Sequence, residues 1–285
     1  MPVIKDVLVG FPCYDNRSEV DITQELFGAV HDPECVVSGI QFYNGDSLIP
    51  RGRNKIVKMF LETDCKYLMF IDSDIKFDRW MINKLRSYNK GIVGGIYLKK
   101  TLPYQPVMNA YLGEEDGLTV MREIGTGFMM IRRDVFGAFR YMWPEHDYIN
   151  DTDEQEGIYH DWFKTGVYRD PGSDPRKPGR YLSEDYYFCQ EAAQLGYKTY
   201  LDRNILTMHV GKMTYPTKDE NLLEGAALLM ERLRTNSDVN VSIFERIVNA
   251  AQMQINARSN VSIEDQIPDV YHNVMNQVNE GNNEQ

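Results

Sequence analysis

Two aspartates one residue apart, Asp72 and Asp74, follow the apolar run Tyr67-Leu68-Met69-Phe70-Ile71. Carboxylates so close repel each other unless a cation lies between or near them. Oxygen ligands suit Mg2+ or Mn2+, and both ions commonly bridge protein carboxylates to phosphates. The competing reading is a strand end followed by an acidic helix cap. The element in front of the pair favours the metal. A continuous apolar run bounded by polar residues marks a central parallel strand. In open α/β sheets, ligands bind beyond the carboxyl ends of such strands.

Asp6 to Pro12 reads as a first strand, with the loop Cys13 to Ser18 at its carboxyl end. A helix over Asp21 to Val30 places Ile22, Leu26 and Val30 on one face. Val36 to Tyr43 is a second strand. Ile49-Pro50-Arg51-Gly52-Arg53-Asn54 opens a helix through Glu62, with Ile56, Val57, Phe60 and Leu61 as its stripe. After the Asp72/Asp74 strand come a helix near Arg79 to Tyr88 and a glycine-interrupted strand, Gly91 to Tyr97. Such alternation predicts an α/β fold, a mostly parallel sheet flanked by helices.

Beyond Lys99 the pattern changes. Val107 to Tyr111 and Leu118 to Arg122 form a hairpin pair, Gly125-Thr126-Gly127-Phe128 leads a strand, and Asp134 starts a helix. Trp143 to Gly179 is acidic and rich in aromatics. It is too long for an ordinary connector, so it reads as a functional lid or as an excursion anchored by its aromatic rings. Ser183-Glu184-Asp185 leads a helix to Leu195, and two late strands follow, Lys198 to Leu201 and Ile205 to Val210. The expected domains are a catalytic one over 1–217 and a C-terminal helical extension over 218–285. Leu222 to Leu233 and Ile243 to Ile255 carry helical apolar spacing. Those faces must be buried, either on the same chain or in a homodimer.

The order of four elements resembles a GT-A type glycosyltransferase, most of all the compact enzymes of tailed phages and large DNA viruses. The elements are Arg51-Gly52-Arg53-Asn54 opening a helix, Asp72-Ser73-Asp74 ending a strand, Gly125-Thr126-Gly127-Phe128, and Ser183-Glu184-Asp185 with a later His209-Val210-Gly211. The resemblance spans Val7 to Gly211. It implies a GT-A (Rossmann-like) domain that transfers a sugar from a nucleotide-sugar, commonly UDP-linked, to an acceptor hydroxyl. Asp72 and Asp74 match the metal motif, with Asp74 the direct ligand and Asp72 a ligand, a water-mediated ligand or a ribose contact. His209 completes the metal shell, and imidazole suits Mn2+ better than Mg2+.

Asp185 matches the general base of inverting members. Glu184 can exchange roles with it, and a Ser followed by acidic residues is also an ordinary helix start. Arg51, Arg53 and Asn54 suit a diphosphate at a helix N-terminus. Tyr14, Asp15 and Asp46 are placed at the base and ribose, and Gly125 and Gly127 at the donor sugar or in a plain turn. Lys99 and Lys100 face the phosphates or solvent. A retaining transferase shares this fold and metal. A nucleotidyltransferase usually carries a glycine-rich loop after its first strand, which Gly10-Phe11-Pro12-Cys13-Tyr14 does not provide. A sugar-binding or assembly protein on a decayed transferase fold is disfavoured by the intact Asp72, Asp74, Asp185 and His209.

A net charge of −11 argues against a broad electrostatic grip on nucleic acid. The acceptor therefore stays open between a glycan, a protein and a modified DNA base, since Lys164, Arg169, Arg176, Lys177 and Arg180 cluster in sequence near the long excursion. Four cysteines without Cys-x-x-Cys spacing predict reduced, packed thiols. No stretch approaches the roughly 18 apolar residues of a membrane span, and the N-terminus lacks a signal peptide's apolar core. The expected setting is the cytoplasm, of a host cell if the chain is viral.

Overall fold

The computed structural model describes residues 3–101, 105–150 and 157–211. The expected C-terminal helices, and the boundary drawn at 217/218, lie outside the described residues. In chain order the first elements are β1 (Val7–Cys13), α1 (Val20–His31), β2 (Val37–Asn44), α2 (Ile49–Leu61), β3 (Tyr67–Ile71) and β4 (Ile75–Lys76). Then come α3 (Trp80–Ser87), β5 (Ile92–Ile96), β6 (Met108–Glu115), β7 (Leu118–Ile124), β8 (Phe128–Arg132) and α4 (Arg133–Met142). A 3-10 turn at Pro144–His146 leads to β9 (Asp147–Ile149), β10 (Ile158–His160), β11 (Gly166–Tyr168) and β12 (Arg180–Leu182). The described part closes with α5 (Glu184–Gln194), β13 (Thr199–Leu206) and β14 (Met208–His209).

Eight strands form one sheet in the order β2-β1-β3-β8-β5-β13-β7-β6. β1 pairs in parallel with both β2 and β3, and β13 with β5. β7 and β8 run against the other six strands, pairing antiparallel with their neighbours. The β1–α1–β2 crossover steps one way across the sheet and β2–α2–β3 steps back past β1. Right-handed crossovers then put α1 and α2 on opposite faces. Side chains alternate accordingly. Val7, Val9, Phe11, Met69 and Ile71 pack with Leu26, Ala29, Ile82 and Leu85 on the α1/α3 face. Leu8, Leu68 and Phe70 pack with Ile56, Phe60, Phe136 and Phe188 on the α2/α4/α5 face. The connection reverses direction at β1, so the carboxyl ends of β1, β2 and β3 open on one crevice.

One expectation is corrected. The two late strands are one eight-residue strand, β13, because Thr199–Leu201 and Leu206 all pair with β5 across a register shift. Only Met208 and His209 separate from it, pairing antiparallel with Lys76 and Ile75 of β4. The strand led by Gly125, to which the sequence assigned no direction, is β8. β8 inserts antiparallel between β3 and β5. Its neighbours on both sides are apolar, and Phe128 to Ile131 is buried throughout, as a central position requires.

The long excursion is anchored where it is described. Trp162 and Phe163 are buried in the core. The Trp162 indole donates to the Phe136 carbonyl at 3.1 Å, and the Phe163 ring stacks on Phe188 at 4.7 Å. All four cysteines are free thiols. No helix among the described residues is long and apolar enough to cross a membrane.

Candidate functional site

β3 ends at Ile71, and the chain turns at once. The Asp72 N–H donates to the Gly127 carbonyl at 3.1 Å, and Ile75 N–H donates back to the Asp72 carbonyl at 3.0 Å. This turn aims the two carboxylates apart. Asp72 faces α2, where Arg53 Nη2 donates to its Oδ1 and Oδ2 at 3.0 and 3.2 Å. Asp74 faces β14. His209 Nε2 lies 3.3 Å from its Oδ1, and the Lys100 ammonium bonds its Oδ2. The β4–β14 pairing fixes this approach, reinforced by Val210 N–H donating to the Asp74 carbonyl at 2.7 Å.

Arg53 is the hub. It is 3 % exposed, stands over the Phe70 ring at 5.3 Å, and places Nε 3.3 Å from Glu184 Oε1. One guanidinium therefore ties the end of β3 to the start of α5. Its planar fork allows two donations in divergent directions, which an ammonium could not hold so rigidly. Nη1 is buried without a hydrogen-bond partner.

Asp185 is the neighbour that Arg53 does not bond directly. The Ser183 hydroxyl and the Tyr186 N–H, the latter at 2.8 Å, both reach its Oδ1. Burial, reinforced by the adjacent Glu184 charge, pushes its carboxyl up to about 6. The two acids at the α5 start thus differ in environment: Glu184 is ion-paired, whereas Asp185 carries a raised affinity for a proton. Their spacing is alike, and the reach of Arg53 to Glu184 is what makes their surroundings differ.

Asp74 shows the reverse balance. Burial pushes its carboxyl up, but hydrogen bonds and charge from His209 and Lys100 outweigh it and hold the group at about 2. His209 Nδ1 lies 2.6 Å from the Leu98 carbonyl, and a carbonyl only accepts, so Nδ1 carries the proton. Nε2 then confronts a carboxylate oxygen, a contact that needs a proton or a metal cation between them. A backbone carbonyl orienting one imidazole nitrogen and freeing the other is the usual support of a metal-bound histidine. The donor set of Asp74 and His209 therefore fits a divalent cation, with imidazole favouring Mn2+. Among the described residues no group of three or more His, Cys, Asp or Glu side chains gathers to hold a metal, because Asp72 turns to Arg53.

Tyr97, at the carboxyl end of β5, was not singled out by the sequence. Its hydroxyl accepts from the Gly127 N–H at 3.0 Å, and its ring meets His209 edge-on at 5.5 Å. Burial raises its hydroxyl well above the usual tyrosine range, and the nearby Asp72 and Asp185 add to this, so it stays protonated. The signal available was its place at a further strand end beside the glycine-rich strand. Its ring also explains Gly125 and Gly127: a Cβ would lie 1.9 Å from the Tyr97 hydroxyl at the first and 2.8 Å from its ring at the second.

The remaining candidates lie apart from this cluster. Asp46 is buried at the α2 entrance, bonded twice by Arg51 at 2.8 Å and by the Leu48 N–H at 3.0 Å. Asn54 is 1 % exposed and uses both ends of its amide, donating to Asp161 at 2.8 Å and accepting from Phe163 N–H at 3.0 Å. Tyr14 is 66 % exposed beyond β1, beside Asp15, whose carboxylate accepts from the Arg17 N–H. Arg51 and Asn54 also border a cleft of about 550 Å³ with His146, Tyr148, Asp161 and Lys164. Of the basic residues near the excursion, Lys164 pairs with Glu191, Arg176 with Asp174 and Arg180 with the fully buried Glu123.

No family model matches this chain, and no curated protein matches it in sequence. Among solved structures it is similar to A197 from STIV, at 15% identity and a TM-score of 0.40, over 75% of this chain and 98% of that one. It is also similar to GalNAc-T7 with UDP, GalNAc and Mn2+, at 7% identity and a TM-score of 0.40, over 74% of this chain and 44% of that one. A third is CMP:2-keto-3-deoxy-manno-octonic acid synthetase complexed with CTP, at 9% identity and 0.39, over 80% and 99%. The nucleotides, sugar and metal named with the last two belong to those proteins.

Proposed function

We propose that this chain is a metal-dependent glycosyltransferase of inverting stereochemistry, transferring a sugar from a nucleotide-sugar, UDP-linked as the family resemblance implies, to an acceptor hydroxyl. The observation that carries the reading is the division of labour around Arg53. Two carboxylates, Asp72 and Glu184, are held by the one buried guanidinium, a structural contact that faces away from Asp74. That leaves Asp74 with His209 on one side and Asp185 on the other to do chemistry.

Asp74 and His209 would hold Mn2+ or Mg2+, which when bound neutralises charge developing on the departing diphosphate. Asp185 accepts the proton of the acceptor hydroxyl as its oxygen attacks the anomeric carbon. A base with a pKa near 6 is ionised at neutral pH yet still holds a proton usefully, the compromise that general-base catalysis requires. Glu184, already paired, keeps the start of α5 in place. Tyr97 fixes the Gly125–Gly127 turn whose carbonyl holds Asp72. Tyr14, exposed beyond β1, is available to stack on a nucleobase.

The acceptor class is a glycan, a protein or a modified DNA base, and the working compartment is the cytoplasm. The test is a nucleotide-sugar screen with Mn2+, following thermal stabilisation and donor hydrolysis, with the product's anomeric configuration read by NMR. Mn2+-dependent turnover with inversion is expected. Retention of configuration would overturn Asp185 as general base, and no metal-dependent stabilisation by any nucleotide-sugar would overturn the transferase reading.

A further inference from the structure

Asp74 already has a cation. The Lys100 ammonium bonds its Oδ2 while His209 faces its Oδ1, so the carboxylate is shared between a ligand-type nitrogen and a fixed positive charge. The lysine stem is positioned for this. It comes from just beyond β5 and lies along the backbone of Gly211, where a Cβ would stand 3.1 Å from Lys100 Cδ and 3.5 Å from Cγ. Both charged ends stay in reach of solvent, with side chains 40 % and 38 % exposed, so the pair can open without burying a lone charge.

We propose that Lys100 is a resident counter-ion on Asp74 that must leave for a divalent metal to bind, and that it couples metal binding to diphosphate binding. The proposal rests on the metal-dependent reading given above. An ammonium and a divalent cation compete for one carboxylate, so Lys100 weakens metal binding to the protein alone. Once displaced, the ammonium is left beside the metal and is repelled by it. A diphosphate relieves that repulsion, since its oxygens accept hydrogen bonds from the amine. Nucleotide then raises metal affinity, and by linkage metal raises nucleotide affinity by the same factor. The site is thus biased to load the two together, and a bare metal is held loosely.

The test uses the full chain, with MnCl2 alone and MnCl2 with uridine diphosphate as probes, at fixed ionic strength. Manganese binding is followed by electron paramagnetic resonance and calorimetry, corrected for Mn2+ held by free nucleotide. Lys100→Met keeps the stem on Gly211 and removes the charge, and Lys100→Arg keeps the charge. Lys100→Met is expected to bind Mn2+ alone about tenfold more tightly than the parent, and to lose most of the enhancement that uridine diphosphate gives. Lys100→Arg is expected to stay near the parent on both counts. Equal or weaker Mn2+ affinity in Lys100→Met, with Asp74→Asn abolishing binding in either background, overturns the counter-ion role and leaves the metal reading standing. Mn2+ binding to none of these proteins overturns the metal reading and this inference with it.

Discussion

Arg53 donates from Nη2 to both carboxylate oxygens of Asp72, at 3.0 and 3.2 Å. The contact spans two elements that the chain order alone does not bring together, the second turn of α2 and the end of β3. Arg53 is buried and Asp72 is 29 % exposed in its side chain, so water partly screens one partner and not the other. Breaking a buried pair from one side leaves an uncompensated charge, which is the costly case.

Arg53→Met should therefore lose ~2–4 kcal/mol of stability, below the figure for a fully buried pair because Asp72 can hydrate. Arg53→Lys should recover only part of it, since one ammonium cannot hold Asp72 and Glu184 in divergent directions. Urea midpoints at pH 7 measure both. A Lys variant as stable as the parent would show that charge alone, without the fork, holds α5 to β3.

The alternation of strands and helices through β5 was legible because each buried segment repeats a simple pattern. Tyr67 to Ile71 is buried at every position, as its unbroken apolar run predicts. The antiparallel insertion of β8 was not legible, since Phe128 to Ile131 looks the same whichever neighbour it pairs with. Pairing is decided by which edge remains open in space. In helix α2 the partners were equally out of reach of the sequence. Arg53, Asn54 and Lys55 are consecutive polar residues that belong on a solvated face by composition, yet all three are buried. Their partners Asp72, Asp161 and Tyr43 are set by tertiary structure. At the site, residue types were readable and their pairings were not: the two aspartates of one motif face different partners.

Gly125 offers a steric test. A Cβ there meets the Tyr97 hydroxyl at 1.9 Å and Val107 at 2.7 Å, and the Tyr97 side chain is itself buried. Gly125→Ala should cost at least ~1–3 kcal/mol from overpacking and should reduce turnover by shifting the turn that holds Asp72. Tyr97→Phe in the same chain removes the clashing oxygen and should restore part of the stability, while losing the hydrogen bond from Gly127. A double-mutant cycle on thermal unfolding detects the coupling. Additive effects would mean that the ring does not press on this turn.

The Asp74–His209 pair predicts metal-linked stability. A ligand that binds only the folded state at a hundred times its dissociation constant adds ~2.7 kcal/mol. Mn2+ should raise the melting temperature of the parent in the presence of nucleotide. Asp74→Asn and His209→Ala should each fold and each abolish most of that rise and most of the turnover. Asp72→Asn should weaken it less, because Asp72 is committed to Arg53. A larger loss in Asp72→Asn than in His209→Ala would move the metal to the other carboxylate.

Asp185 gives a prediction in pH. Its carboxyl is pushed up to about 6 by burial and by Glu184, above the 3.8 of an unperturbed aspartate. As general base it works only when ionised, so kcat/KM should fall about tenfold per pH unit below 6. The stability consequence runs the other way. The folded state binds this proton more tightly than the unfolded chain, so the contribution is fully present below pH about 4 and is lost as pH rises through 6. Asp185→Asn has no proton to lose. Relative to the parent it should gain little at pH 4, gain progressively to pH 6, and level off above at ~2–3 kcal/mol. Solvent reaching this half-buried group pulls the plateau toward the lower figure. Turnover should drop ~10²–10⁴-fold with donor binding retained. Unfolding midpoints across pH 4 to 8, set beside the pH–rate profile of the parent, should show the two transitions at the same pH. A rate profile flat through pH 6 with a stability curve that bends there would leave Asp185 as a buried acid and assign the proton to another group.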